Sequence, residues 1–130
     1  RAIAHLFEVN ADVVTFEAAG SGGKDLPLFA QHETNKKVAI GVVNHTNTVV
    51  ESPEQVAGLI RRALEFVPVE RLIISTDCGF GREGISRRIA FHKCVALVQG
   101  TNIVRKELGL PETVVRAADP QFAFSGSSGN

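Results

Sequence analysis

The chain has 130 residues, with 14 basic and 14 acidic side chains and a formal net charge of zero. That length fits one domain with a modest core. The charge balance, with no basic block or stripe, argues against a nucleic-acid partner. No apolar run is long enough to span a bilayer and no signal peptide opens the chain, so no membrane partner is expected. Two cysteines do not make a disulfide framework, and they suit a reduced, cytoplasmic setting. There is no methionine, and the opening "RAIAHLFEVNAD" puts Ile3, Leu6 and Phe7 on one helical face. A start inside a helix without an initiator reads as a fragment or processed product of a longer protein.

After that helix, "DVVTFE" (12–17) has the β-branched and aromatic make-up of a buried strand. "AAGSGGKD" is a loop by its glycines, "LPLFAQHE" a short helix, and "KVAIGVV" (37–43) a second strand. "NHTNTVVE" connects to a helix with a full start signal: Ser52 as N-cap, Pro53 at the first helical position and Gln55 closing a capping box. Val56, Leu59, Ile60, Ala63, Leu64 and Val67 form its apolar face, and Pro68 ends it. "ERLIIST" (70–76) is a third strand. A long helix is expected from about Gly84 to Leu108, with Ile85, Ile89, Leu97 and Val104 inside, Gly100 a weak point and Cys94 a packing residue. The polar "SGSSGN" end reads as disordered.

Helices alternating with strands predict an α/β fold with a parallel sheet and right-handed crossovers. The strands then share a carboxyl-terminal rim, where sites are built in such folds. Each strand delivers a chemically able side chain there: Glu17 after the first, Asn44-His45 after the second, Asp77-Cys78 after the third. Glu, His and Cys are zinc-type ligands. Each residue alone has a plainer reading, as a solvated loop residue or a small core cysteine. "GFGREG" (79–84) matches a phosphate-cradling glycine pattern, but the acidic second strand that a dinucleotide site needs about 20 residues on is absent. Gly79 and Gly81 are better read as permitting a sharp turn after the strand. Asp77 is expected to orient the rim by accepting hydrogen bonds from turn amides. Arg82, Arg87 and Arg88 are read as a solvated helix start, with an anionic group as the alternative. His5, His32 and His92 show no partner pattern.

The stretch "VVESPEQVAGLIRRALEFVPVERLIISTDCGFGRE", with "ADVVTFE" before it and "RRIAFHKCVALVQGTNIVRKELGLPE" after it, resembles the carboxyl-terminal barrel of the cobalamin-independent methionine synthase family. The likeness covers residues 1–112; 113–130 is expected to be a flexible tail. It implies that the chain is the C-terminal part of a (β/α)8 barrel, three parallel strands with flanking helices. It implies a zinc-dependent transfer of a methyl group to the thiol of homocysteine, giving methionine. Glu17 and Cys78 fall on two of the family's zinc ligands, with the family's usual separation. The other two, a His-x-Cys pair, have no counterpart here; "HKC" (92–94) has the wrong spacing. With two ligands, the chain alone is expected to hold zinc poorly and to be inactive.

His45 falls one place short of the family's proton-transferring His in Asp-Ile-His-Ser-Pro, and is carried as a catalytic candidate or an ordinary rim residue. The loop is more similar to the shorter, corrinoid-linked branch. That favours methylcobalamin over methyltetrahydrofolate as donor and admits a corrinoid or corrinoid protein as partner. Alkyl transfer to another thiol such as coenzyme M, and a non-catalytic α/β binding module, are the alternatives. Open sheet edges and an uncovered inner face are expected to make the chain self-associate.

Overall fold

The computed structural model describes residues 2–81 and 84–125. Arg82 and most of the "SGSSGN" end lie outside the described residues. The elements alternate: α1 (Ala2–Glu8), β1 (Val13–Glu17), β2 (Lys37–Gly41), α2 (Pro53–Leu64), β3 (Leu72–Ser75) and α3 (Arg87–Glu107), with short 3-10 turns at Leu26–Gln31, Val69–Arg71, Arg116–Ala118 and Pro120–Phe122. The strands form one parallel sheet in the order β1-β2-β3. Among the described residues no helix is long and apolar enough to cross a membrane.

Register explains the layering. Val14, Val38 and Leu72 align across the sheet, as do Phe16, Ile40 and Ile74. These two rows belong to the core with α2, where Val56, Ala57, Ile60 and Ala63 are buried. The alternate row Thr15, Ala39 and Ile73 points the other way. On that side Val13 and Ile73 stay exposed. Glu17 pairs with Gly41 and Gly41 with Ser75, so the carboxyl ends lie level at one rim.

The start of α2 is as the sequence dictates. The Ser52 hydroxyl accepts from the Gln55 amide at 3.1 Å, and the Ser52 amide donates to the Gln55 side chain at 2.8 Å. α3 starts later than expected, because Ser86 rather than Gly84 caps it by accepting from the Ile89 amide at 3.2 Å. In the turn before it, the left-handed conformation falls on Gly84 (φ 67°) and not on Gly79 or Gly81. Arg87 and Arg88 are exposed.

One expectation for α3 changes. Cys94 is exposed rather than packed, and the inward position beside it is Lys93. Gly100, expected as a weak point, lies inside α3, which continues to Glu107. It is where α2 comes closest, since an added Cβ would stand 2.5 Å from Val56 Cγ1 and 2.7 Å from the Pro53 carbonyl. Residues 113–125, expected as part of a tail, lie back along α3. Asn102 exchanges two hydrogen bonds with the Thr113 backbone (3.0 and 2.8 Å), the Gln99 amide donates to the Asp119 carbonyl, and Phe122 stacks edge-on against Phe91.

Gly100→Ala is expected to destabilise the chain by about 1–3 kcal/mol through overpacking against α2. This is despite the roughly 1 kcal/mol that alanine gains over glycine inside a helix. A shift of the urea midpoint to lower concentration at unchanged slope checks it.

Candidate metal centre

The rim is built by backbone continuation past the strand ends. The amides of Ala18 and Ala19 donate to the Gly41 carbonyl, Val42 N–H to the Ser75 carbonyl at 2.9 Å, and Asp77 N–H to the Val43 carbonyl at 3.1 Å. Asp77 then reaches back across the sheet. Its Oδ1 accepts from the amides of Ala18 and Ala19, each at 3.0 Å, and its Oδ2 from Gly20 at 2.8 Å. One carboxylate thus holds three successive amides of the loop that follows Glu17. Gly41 lies directly beneath, where a Cβ would sit 2.2 Å from Asp77 Oδ1 and 2.5 Å from its Cα. The position must therefore be glycine. The rim-orienting role expected of Asp77 is what the structure shows. Burial raises the Asp77 carboxyl above its ordinary value of 3.8, the three amides pull it back, and the neighbouring Glu17 charge adds to the rise.

His45 is placed by a different device. The Asn44 side-chain oxygen accepts from both the amide and the hydroxyl of Thr46, each at 2.7 Å, which closes a tight turn over His45. The Asn44 amide in turn donates to Glu51 Oε1 at 3.0 Å. His45 Nδ1 is buried and has no hydrogen-bond partner among the described residues.

Together these place Glu17, His45 and Cys78 at one point, where one potential ligand atom from each lies within 4.8 Å of the others. Glu17 and Cys78 are exposed and His45 is half-buried, so the cluster opens to solvent on one side. A carboxylate, an imidazole and a thiolate are each ordinary zinc donors, and the cluster has room for an ion. Among the described residues, His92 and Cys94 join no such group; they sit on α3, His92 against Phe91 and Phe124.

The model of the family described as "Cobalamin-independent synthase, Catalytic domain" matches residues 1–99. The chain belongs to this family. It is 39% identical over 101 residues to the methionine synthase of Saccharolobus solfataricus, covering 78% of this chain and 30% of that protein. It is 40% identical over 101 residues to that of Thermococcus kodakarensis, covering 78% of this chain and 29% of that protein. Among solved structures it is similar to a B12-independent methionine synthase from Shewanella sp. W3-18-1 in complex with selenomethionine. There the TM-score is 0.71 at 33% identity, over 80% of this chain and 29% of that one. The chain thus spans less than a third of the length of these relatives. Its three parallel strands and helices are part of the family's (β/α)8 barrel.

Two features of the site escaped the sequence reading. The turn chemistry of Asn44 and Thr46 was there to be found, because an Asn side chain in a loop commonly accepts from the backbone amide two residues on. The tie from Glu51 to the Asn44 amide left no local signature.

Asp77→Ala, which removes an acceptor from three amides and leaves those of Ala18 and Ala19 only the Gly41 carbonyl, is expected to lower stability by about 1–3 kcal/mol. It should also speed hydrogen exchange at Ala18, Ala19 and Gly20 more than in the middle of β2. Asp77→Asn, which keeps one acceptor oxygen, should fall between. Denaturant titration and residue-resolved exchange check both.

Proposed function

We propose that this chain carries part of the catalytic centre of a zinc-dependent methyltransferase that moves a methyl group to the thiol of homocysteine, giving methionine. The observation that carries the reading is the convergence of Glu17, His45 and Cys78 at the open rim. Family membership and the names of the relatives support it. In this reading Glu17 and Cys78 hold zinc, and His45 stands beside them.

The chemistry asks for such a centre. A free thiol with a pKa of about 8.5 is only a few per cent thiolate at neutral pH. Bound zinc supplies a Lewis acid that keeps the substrate sulfur deprotonated while leaving it nucleophilic. The new S–C bond forms as the bond between the methyl carbon and its carrier breaks, and the bonding pair leaves with the carrier. Glu17 and Cys78 orient the metal from two strands whose ends Asp77 locks together. Their exposed side is where the thiol and the methyl donor enter.

His45 has a task that depends on the donor. A methyl group on an amine nitrogen, as in methyltetrahydrofolate, leaves well only if that nitrogen gains a proton, and an imidazole at the rim can provide it. Methylcobalamin requires no such proton. The family's description as cobalamin-independent supports the folate donor. The His45 loop, closer to the corrinoid-linked branch, supports the other.

Cobalt(II) titrated into the chain is expected to give thiolate charge-transfer absorption that Cys78→Ser abolishes and Glu17→Gln weakens. Absence of that absorption at saturating cobalt would count against the metal centre. In the full-length protein, Cys78→Ser should cut homocysteine methylation by at least about 100-fold. His45→Gln should cut it by about 100-fold or more with methyltetrahydrofolate, and little with methylcobalamin. Assaying the two donors in parallel identifies which one the protein uses.

A further inference from the structure

Lys93 is fully buried on α3, a placement that a charged amine does not take without compensation. Its ammonium donates to the Val49 carbonyl at 2.7 Å and to Glu51 Oε1 and Oε2 at 2.9 and 3.0 Å, with Asn47 Oδ1 at 3.3 Å. Every acceptor lies in the β2–α2 connection. Glu51 is itself largely buried, with its side chain 17% exposed. Its Oε1 also accepts the Asn44 amide at 3.0 Å, and Asn44 closes the turn over His45. A continuous line of hydrogen bonds therefore runs from α3 to the turn that carries His45 at the rim.

A buried ion pair is a poor way to gain stability, because apolar residues of similar volume commonly do as well or better. Its value is in geometry: an ammonium with three donors and a carboxylate with two oxygens fix directions that methyl groups do not. We propose that Lys93 is a positioning residue. Through Glu51 it sets the conformation of the connection from Asn44 to Glu51, and so holds His45 against Glu17 and Cys78. The consequence for metal binding rests on the function proposed above; the consequence for the turn does not.

The test uses the whole chain and the double substitution Lys93→Met with Glu51→Gln, which leaves no unpaired buried charge and keeps an acceptor for Asn44. The double variant is expected to remain folded by circular dichroism. Hydrogen exchange should rise at least about 10-fold at Asn44 and Thr46 while the β1–β2 ladder keeps its protection. Cobalt(II) affinity should fall about 10- to 100-fold, the range typical when an outer partner of a metal site is lost. Wild-type exchange at Asn44 and Thr46 would overturn the proposal and leave Lys93 as a satisfied core residue. So would a loss of protection spread evenly over the sheet. If the wild-type chain bound no cobalt, the metal reading would fail while the exchange data still decided the role of Lys93. Should the double variant not fold, Glu51→Gln alone is expected to raise exchange at Asn44 at least about 3-fold, and no change there would overturn the proposal.

Discussion

Three amides in a row, those of Ala18, Ala19 and Gly20, converge on the two oxygens of Asp77. The loop that carries them is the direct continuation of β1 beyond Glu17, and Asp77 is the residue before Cys78. A single side chain thus ties the exit of the first strand to the exit of the third, across the second. The bridge is short enough to exclude any side chain on Gly41 between them. Without it, the sheet ladder would still hold the strand ends side by side, but the loop after Glu17 would lose its direct tie to the residue before Cys78. The two neighbouring carboxylates differ in their surroundings: Asp77 uses both oxygens on backbone amides, and Glu17 stands exposed at the rim.

The second strand is held by other means. β2 lies between its neighbours, and its ladder positions Gly41 and Val42, but the chain beyond Val43 leaves the sheet. What directs it is the network of Asn44, Thr46, Glu51 and Lys93. The rim is therefore assembled from two polar clusters, one centred on Asp77 and one on Glu51 and Lys93. Both border the three side chains Glu17, His45 and Cys78. A lesion in one cluster should leave the other standing.

How much of this could be read from the sequence follows from the range of the interactions. The strands, the capping box at Ser52 and the apolar face of α2 are set within a few residues and were legible. The meeting of Glu17 and Cys78 at one rim was legible because each follows a strand and sits in a recognisable motif. Asp77 could be anticipated because a carboxylate after a strand commonly meets turn amides. Lys93 could not: a lysine in a helix reads as solvated, and only the Glu51 carboxylate, 42 residues away in sequence, makes its burial tolerable. The packing requirement at Gly100 was out of reach for the same reason, since it is set by Val56 on another helix. Cys94 follows from Lys93, because the helical face that turns Lys93 inward turns its neighbour out.

The placement of His45 changes the count of donors that this chain offers. Two ligands, Glu17 and Cys78, were expected, which is too few to hold an ion well; a third donor now stands within reach of both. Tetrahedral zinc, with bonds of about 2.0–2.3 Å, sets its ligand atoms roughly 3.5 Å apart. A spread of up to 4.8 Å is therefore wider than a closed site. Glu17 and Cys78 are exposed and free to rotate inward, whereas the backbone that bears them is pinned by Asp77. Closure can then come from side-chain torsions alone. Three protein donors with one side open is also the arrangement of catalytic rather than structural zinc, whose free position is taken by water or substrate. If the rest of the barrel adds the family's His-x-Cys pair, the metal has four protein donors without His45, and the imidazole is released from ligation to handle protons. Under the proposed function, His45 would serve as a third donor in this chain and as an acid in the larger protein, with the choice set by the ligands brought from elsewhere.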